Sequence, residues 1–181
     1  MKPRVFAFLR AINVGGHTVT MDKLRGLFEE LGLEEVATFI ASGNVMFTSP
    51  GTSLPALERK IATRLEESLR YEVATFLRTA PEVIAIANYK PFAEAQIRGA
   101  GAFCVGFLAQ PLDTTGKKSL VTLESAIDHF KMHGREVYWL CDKKQSESKF
   151  SNAVFEKTMG IRVTFRGGNT VAKLAAKAGT T

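Results

Sequence analysis

Two short apolar runs meet at a tight polar turn in Phe39-Ile40-Ala41-Ser42-Gly43-Asn44-Val45-Met46-Phe47. That pattern constrains the fold more than any other stretch. Apolar runs this short, broken by Gly, Asn and Pro, have the length of buried strands and not of helices. Something close to it returns near the end as Thr164-Phe165-Arg166-Gly167-Gly168-Asn169-Thr170-Val171. A third glycine-rich turn, Asn13-Val14-Gly15-Gly16-His17, follows the first strand. Such a chain folds as small sheets covered by helices, with its turns as the places to look for a site.

Between the turns, apolar residues recur at helical spacing. Met21, Leu24, Leu27, Phe28 and Leu31 form one stripe, with Thr20 as N-cap and Gly32 as the terminating glycine. Leu54, Leu57, Ile61, Leu65 and Leu69 form a second after the break at Pro50-Gly51. Strands are expected over residues 5–9, 36–40, 45–48 and 71–77, and Pro81 opens a short helix. Residues 36–48 fit either one bent strand or a hairpin. In the second half, strands over 103–108, 136–141 and 161–165 alternate with helices over 120–130, 152–159 and 171–178. Leu123, Ile127 and Phe130 are the expected inward residues of the helix over 120–130.

The repeated β-α-β order predicts an α+β fold of two ferredoxin-like (βαβ-repeat) sandwich halves, a duplication. The N-terminal half is expected over 1–90 and the C-terminal half over 100–181, with a connector over 91–99. A textual echo points the same way. Phe28-Glu29-Glu30, Gly32, Thr38-Phe39 and Gly43-Asn44 parallel Phe155-Glu156-Lys157, Gly160, Thr164-Phe165 and Gly168-Asn169.

At 181 residues, 45% apolar and 23% charged, the chain is long enough to bury roughly 70% of its unfolded surface without staples. Disorder, collagen and coiled coil do not fit that composition. Cys104 and Cys141 sit inside apolar runs, as core thiols do, and are no disulfide framework. The opening Met1-Lys2-Pro3-Arg4 leads into an apolar run that stops at Arg10, too short for a signal peptide. No stretch approaches the ~18 apolar residues that span a bilayer. A cytoplasmic protein with no membrane association is expected. The net charge of +6 is uneven: residues 100–181 carry 12 Lys+Arg against 7 Asp+Glu. Such asymmetry fits either an anionic partner or a solvated basic face.

The candidate ligand-binding residues follow from turn chemistry. Asn13, Gly15, Gly16, Ser42, Gly43 and Asn44 can leave backbone N–H groups free to form an anion nest. Asn169 and Thr170 repeat that chemistry in the tail turn. Arg10 and Arg166 supply charge-assisted bonds to phosphate or carboxylate. Neither a P-loop nor a G-x-G-x-x-G fingerprint is present, and no cofactor is indicated. The partners that fit are a small anionic or nucleotide-like ligand, or RNA held by the basic half. Aromatics on the first strand of each half, Phe6 and Phe8, then Phe103 and Phe107, fit base stacking or core packing. An enzyme reading would centre on Ser42, Asn44 or His17, without a recognisable catalytic set. His129 and His133, four apart at an expected helix end, lack a third metal ligand.

Leu9-Arg10-Ala11-Ile12-Asn13-Val14-Gly15-Gly16, the Met21-x-x-Leu24 helix ending in Leu31-Gly32, and Ser42-Gly43-Asn44-Val45 together resemble the DUF1697 family. So does the tail, with Ser148-Lys149 before the last strand and Arg166 with Asn169-Thr170-Val171 after it. The resemblance implies a bacterial group without an established activity and a duplicated ferredoxin-like fold. Two positions depart from the family pattern. Ala11 stands where a glycine is usual, and Gly167-Gly168 stand where the tail commonly has Asn-Trp.

Overall fold

Every residue from Val5 to Leu9 is buried, which is why the first strand can be an uninterrupted apolar run: it lies inside its sheet. The computed structural model describes residues 2–40, 43–51 and 53–180. Two compact units divide the chain, Met1–Ile84 with Leu174–Thr181, and Ala85–Lys173.

The first unit runs β1 (Arg4–Leu9), α1 (Met21–Glu29), β2 (Glu34–Thr38), β3 (Asn44–Thr48), α2 (Leu54–Leu69) and β4 (Thr75–Thr79). Its antiparallel sheet has the order β2-β3-β1-β4, the ferredoxin-like arrangement. Val5, Ala7, Leu9, Val45, Phe47 and Leu77 meet Leu24 and Phe28 of α1, and Leu57, Ile61 and Leu65 of α2, in one core. Each buried Val, Leu, Ile or Phe among them contributes about 1.5–3 kcal/mol. The Thr20 hydroxyl accepts from the Lys23 N–H at 3.1 Å, fixing where α1 starts. On the other face of the sheet Phe6, Phe8, Asn44, Phe76 and Arg78 are also buried. Phe6 and Phe8 are therefore not on an open stacking platform.

From β4 the chain passes straight into α3 (Ala80–Asn88), and α4 (Glu94–Gly99) occupies most of the expected connector. The second unit repeats the topology with β5 (Ala102–Phe107), α5 (Thr114–Val121), β6 (Asp128–His133), β7 (Glu136–Cys141), α6 (Asn152–Met159) and β8 (Thr164–Gly167). Its sheet order is β6-β7-β5-β8. Leu120, Phe130, Val137, Trp139, Phe150, Phe155 and Val163 fill its core. β8 then runs directly into α7 (Gly168–Ala178).

Several expectations change. The two strands of the 36–48 stretch are separate, β2 pairing antiparallel with β3, which rules out one bent strand. The helix expected over 120–130 does not exist. Asp113 caps α5 earlier, its carboxylate accepting from the Gly116 N–H at 2.7 Å, and α5 ends at Val121. Leu123, Ile127 and Phe130 mimic a helical stripe, yet Asp128 and Phe130 are buried on alternate positions of a strand. His129 and His133 thus lie on β6. The strands expected over 71–77 and 161–165 begin later, at Thr75 and Thr164. The duplication lies in the topology, not in the textual echo. That echo pairs α1 and the β2–β3 turn with α6 and the β8–α7 junction, which hold different places in the two units.

Candidate functional site

In the first unit the step from β4 into α3 is closed by a capping box. The Glu82 carboxylate accepts from the Thr79 N–H at 2.7 Å and from its hydroxyl at 3.1 Å, while the Thr79 hydroxyl accepts from the Glu82 N–H at 3.4 Å. At the matching step of the second unit Gly167 stands in the place of Thr79, and the first turn of α7 carries no acid. Those positions give the leading N–H groups of α7 no side-chain cap.

This helix start opens onto a cavity of about 430 Å³ whose wall includes Tyr89, Lys90, Phe103, Gly167, Gly168 and Asn169. The size suits a small molecule. Phe103 approaches Gly168 so closely that a Cβ there would lie 2.6 Å from its ring; only backbone fits beneath the ring. The side chains of Lys90 and Asn169 have no hydrogen-bond or ion-pair partner among the described residues. None of the described residues lining the cavity is acidic. Lysine and helix start carry the same sign, and both favour an anion. Among the described lining residues there is no carboxylate, imidazole or thiol.

Arg166, two residues before α7, is only 7% exposed. Its Nη1 donates to the Thr164 hydroxyl at 2.7 Å and to the Phe165 carbonyl at 2.9 Å. Burial pushes its pKa down to about 10, which leaves it charged at neutral pH. Arg78 holds the corresponding position in the first unit. It pairs with Phe6 as Arg166 pairs with Val105, and it donates to the Leu77 carbonyl at 2.8 Å. Sequence reading singled out Arg166 and missed its twin. Thr170 follows, half-buried, on α7.

The first unit gathers the other expected residues at one end of its sheet. The Leu9 N–H donates to the Gly43 carbonyl at 2.8 Å, and the Arg10 N–H to the Ala74 carbonyl at 2.9 Å. Left-handed backbone is concentrated there: Ala11 (φ 64°), Asn13 (φ 56°), Gly15 (φ 62°), Gly16 (φ 86°), Ile40 (φ 57°) and Gly43 (φ 78°). For Ala and β-branched Ile this is costly, and such strain clusters at functional places. The two asparagines brace their own turns. Asn13 Oδ1 accepts from the Val19 N–H at 2.7 Å, and the buried Asn44 Nδ2 donates to the Phe39 carbonyl at 3.0 Å. Ser42 lies outside the described residues. Arg10, Asn13, Gly15, Gly16, Gly43 and Asn44 thus form one group. Arg166, Asn169 and Thr170 form another in the second unit.

A second cavity, about 580 Å³, borders Lys2, Arg4, Glu34 and Thr48. Lys2, Glu34 and Arg4 are engaged internally. Lys2 pairs with Glu34 at 2.6 Å, and the Arg4 guanidinium donates to the Lys177 and Thr180 carbonyls. His129 Nε2 lies 2.8 Å from the Asp142 carboxylate, while His133 stacks on Tyr89 at 4.1 Å. No cluster of three or more His, Cys, Asp or Glu side chains is poised for a metal among the described residues. Burial, with Cys141 nearby, pushes the Cys104 thiol up to about 11, the state of an inert core thiol. Tyr89 and Lys90 escaped sequence reading because they fall at the very end of the expected N-terminal half, just past α3, in no motif of their own.

The fold is α+β, two ferredoxin-like units, with a ligand-sized cavity beside the start of α7. The chain belongs to the family described as "Protein of unknown function (DUF1697)", whose model matches residues 1–138. The Gly167–Asn169 turn lies beyond that match. The chain is similar to the solved structure of conserved bacterial protein SP0830 from Streptococcus pneumoniae, at 24% identity and a TM-score of 0.78. The likeness covers 98% of this chain and 99% of that one, and it bears on the fold. No curated protein matches the chain.

Proposed function

We propose that the chain is a binding protein for a small anionic, nucleotide-like ligand, held in the cavity at the start of α7. One observation carries the reading: the strand-to-helix junction Gly167-Gly168-Asn169 borders a cavity that is also lined by Lys90, Tyr89 and Phe103. The helix start and Lys90 suit a phosphate, and the rings suit a base. An enzyme is the weaker reading, since this wall lacks a nucleophile–base pair. Two buried free thiols fit a reducing compartment, and we place the protein in the cytoplasm. No helix among the described residues is long and apolar enough to cross a membrane.

The test is calorimetric titration of the full chain with adenosine monophosphate and with inorganic phosphate, in wild type, Lys90→Ala and Asn169→Ala. The nucleotide should bind more tightly than phosphate, and each variant should weaken it several-fold with little change in melting temperature. No binding, or binding indifferent to both variants, would remove the reading. The 12 basic against 7 acidic residues over 100–181 favour RNA as a second reading. Its mark is affinity that falls steeply with salt. Stacking of RNA on Phe6, Phe8 or Phe107 would need an open face, and all three are buried.

A further inference from the structure

Residues 13–19 of the first unit form a loop closed at its base and free at its tip. The Asn13 side chain accepts from the Val19 N–H at 2.7 Å, locking the base. Between them the residues from Val14 to Thr18 are exposed. A single turn, the His17 N–H donating to the Val14 carbonyl at 3.1 Å, shapes the tip. A Cβ on Gly15 or Gly16 would meet nothing within 4 Å. Those glycines therefore answer to backbone conformation and not to close packing.

At the end of this loop the His17 imidazole stacks on the ring of Tyr71, centroids 3.8 Å apart and planes 24° from parallel. Tyr71 belongs to the core from one side. Its hydroxyl oxygen is buried and has no hydrogen-bond partner among the described residues. Burial raises its pKa, so it is a neutral O–H donor at physiological pH. A buried hydroxyl left unmatched costs about 1–3 kcal/mol, and native structures rarely leave one without a reason. Arg10, whose N–H bonds to Ala74 three residues beyond Tyr71, places a cation on the same group of loops.

We propose that this end of the first unit is a second binding site, for a planar heteroaromatic ring such as a nucleobase, with His17 as its displaceable cover. The ring takes the imidazole's place on the face of Tyr71, held there by stacking. Residues 14–18 swing away on the Asn13–Val19 base. The stacked imidazole shows that the Tyr71 face accepts a flat ring at van der Waals distance. The site is independent of the cavity at α7, so either can fail alone.

Adenosine, which lacks phosphate, is the probe, followed by proton NMR of the His17 ring in the full chain. Bound adenosine should shift the His17 ring protons as they leave the shielding face of Tyr71. The shift should persist in the Lys90→Ala/Asn169→Ala double variant, which disables the other cavity. His17→Ala should bind adenosine about 3- to 10-fold more tightly, because no cover must be displaced. Tyr71→Phe, which keeps the stacking face, should bind it about as tightly as wild type, whereas Tyr71→Leu, which keeps bulk but no flat face, should bind it about 3- to 10-fold more weakly. Unmoved His17 resonances at millimolar adenosine would overturn the proposal. So would weaker binding by His17→Ala, which would make the imidazole a ligand contact and not a cover.

Discussion

Removing one carboxylate, that of Asp128, is expected to loosen the second unit more than any exposed change. Asp128 is 4% exposed. Its Oδ1 accepts from Trp139 Nε1 at 2.9 Å and from the Ser148 hydroxyl at 2.8 Å, and its Oδ2 accepts from the Ser125 hydroxyl at 2.8 Å. Strand β6, strand β7 and the segment before α6 are tied to one side chain. In Asp128→Ala the buried Trp139 N–H loses its acceptor, at about 1–3 kcal/mol. The two serine bonds, which water can partly replace, add about 0.5–1.5 kcal/mol each, for a total of about 2–6 kcal/mol. Asp128→Asn keeps an acceptor for Trp139 and Ser148 and should cost only about 1–2 kcal/mol. Trp139 is the chain's one tryptophan, so its fluorescence during denaturant unfolding reports this unit. A change under about 0.5 kcal/mol for Asp128→Ala, or equal costs for both variants, would refute the hub.

The pH dependence follows from the same contacts. Burial alone would raise the Asp128 pKa, but hydrogen bonds from Ser125, Ser148, Trp139 and Cys141 outweigh it and hold the value below the ordinary 3.8. A carboxylate with a depressed folded-state pKa stabilises above its unfolded pKa, and that contribution is lost as pH falls through the folded value. The gap between wild type and Asp128→Ala should therefore be full at neutral pH and shrink below about pH 4.

Two further substitutions probe the backbone. Ala11 has φ 64°, where an L-residue pays about 1–2 kcal/mol. Ala11→Gly should therefore raise stability by up to about 1 kcal/mol after the flexibility glycine adds to the unfolded chain; a lower thermal midpoint would contradict it. Gly101→Ala would put a Cβ 2.1 Å from the Lys143 carbonyl oxygen, whereas at Gly167 a Cβ meets nothing within 4 Å. The first should lower the melting temperature by several degrees and the second leave it nearly unchanged, and similar losses for both would refute that steric reading.

Helix α1 was legible because cap, stripe and terminating glycine agreed with one another. The stretch over 120–130 was misread because Leu120, Leu123, Ile127 and Phe130 imitate helical spacing while belonging to a helix end, a turn and a strand. Turn chemistry located the loop ends of both units, yet it could not tell a brace from a ligand contact. Asn13 and Asn44 bond within their own turns, and Ser148, part of the family resemblance, serves Asp128. The left-handed backbone at position 11 gives the family's usual glycine a physical reason. Tyr89 and Lys90 meet the tail turn only through the folded second unit. Tyr71 meets His17 only because α2 returns the chain to the loop after β1. Neither meeting has a local signature.

The most direct measurement is backbone amide NMR of the full chain during titration with adenosine monophosphate. A cavity that holds the phosphate at the start of α7 should move the amides of Gly168, Asn169 and Lys90, saturably and at the same midpoint, and Lys90→Ala should shift that midpoint to higher concentration. Amides of Gly168 and Asn169 that stay in place while the nucleotide binds elsewhere, or does not bind, would contradict it.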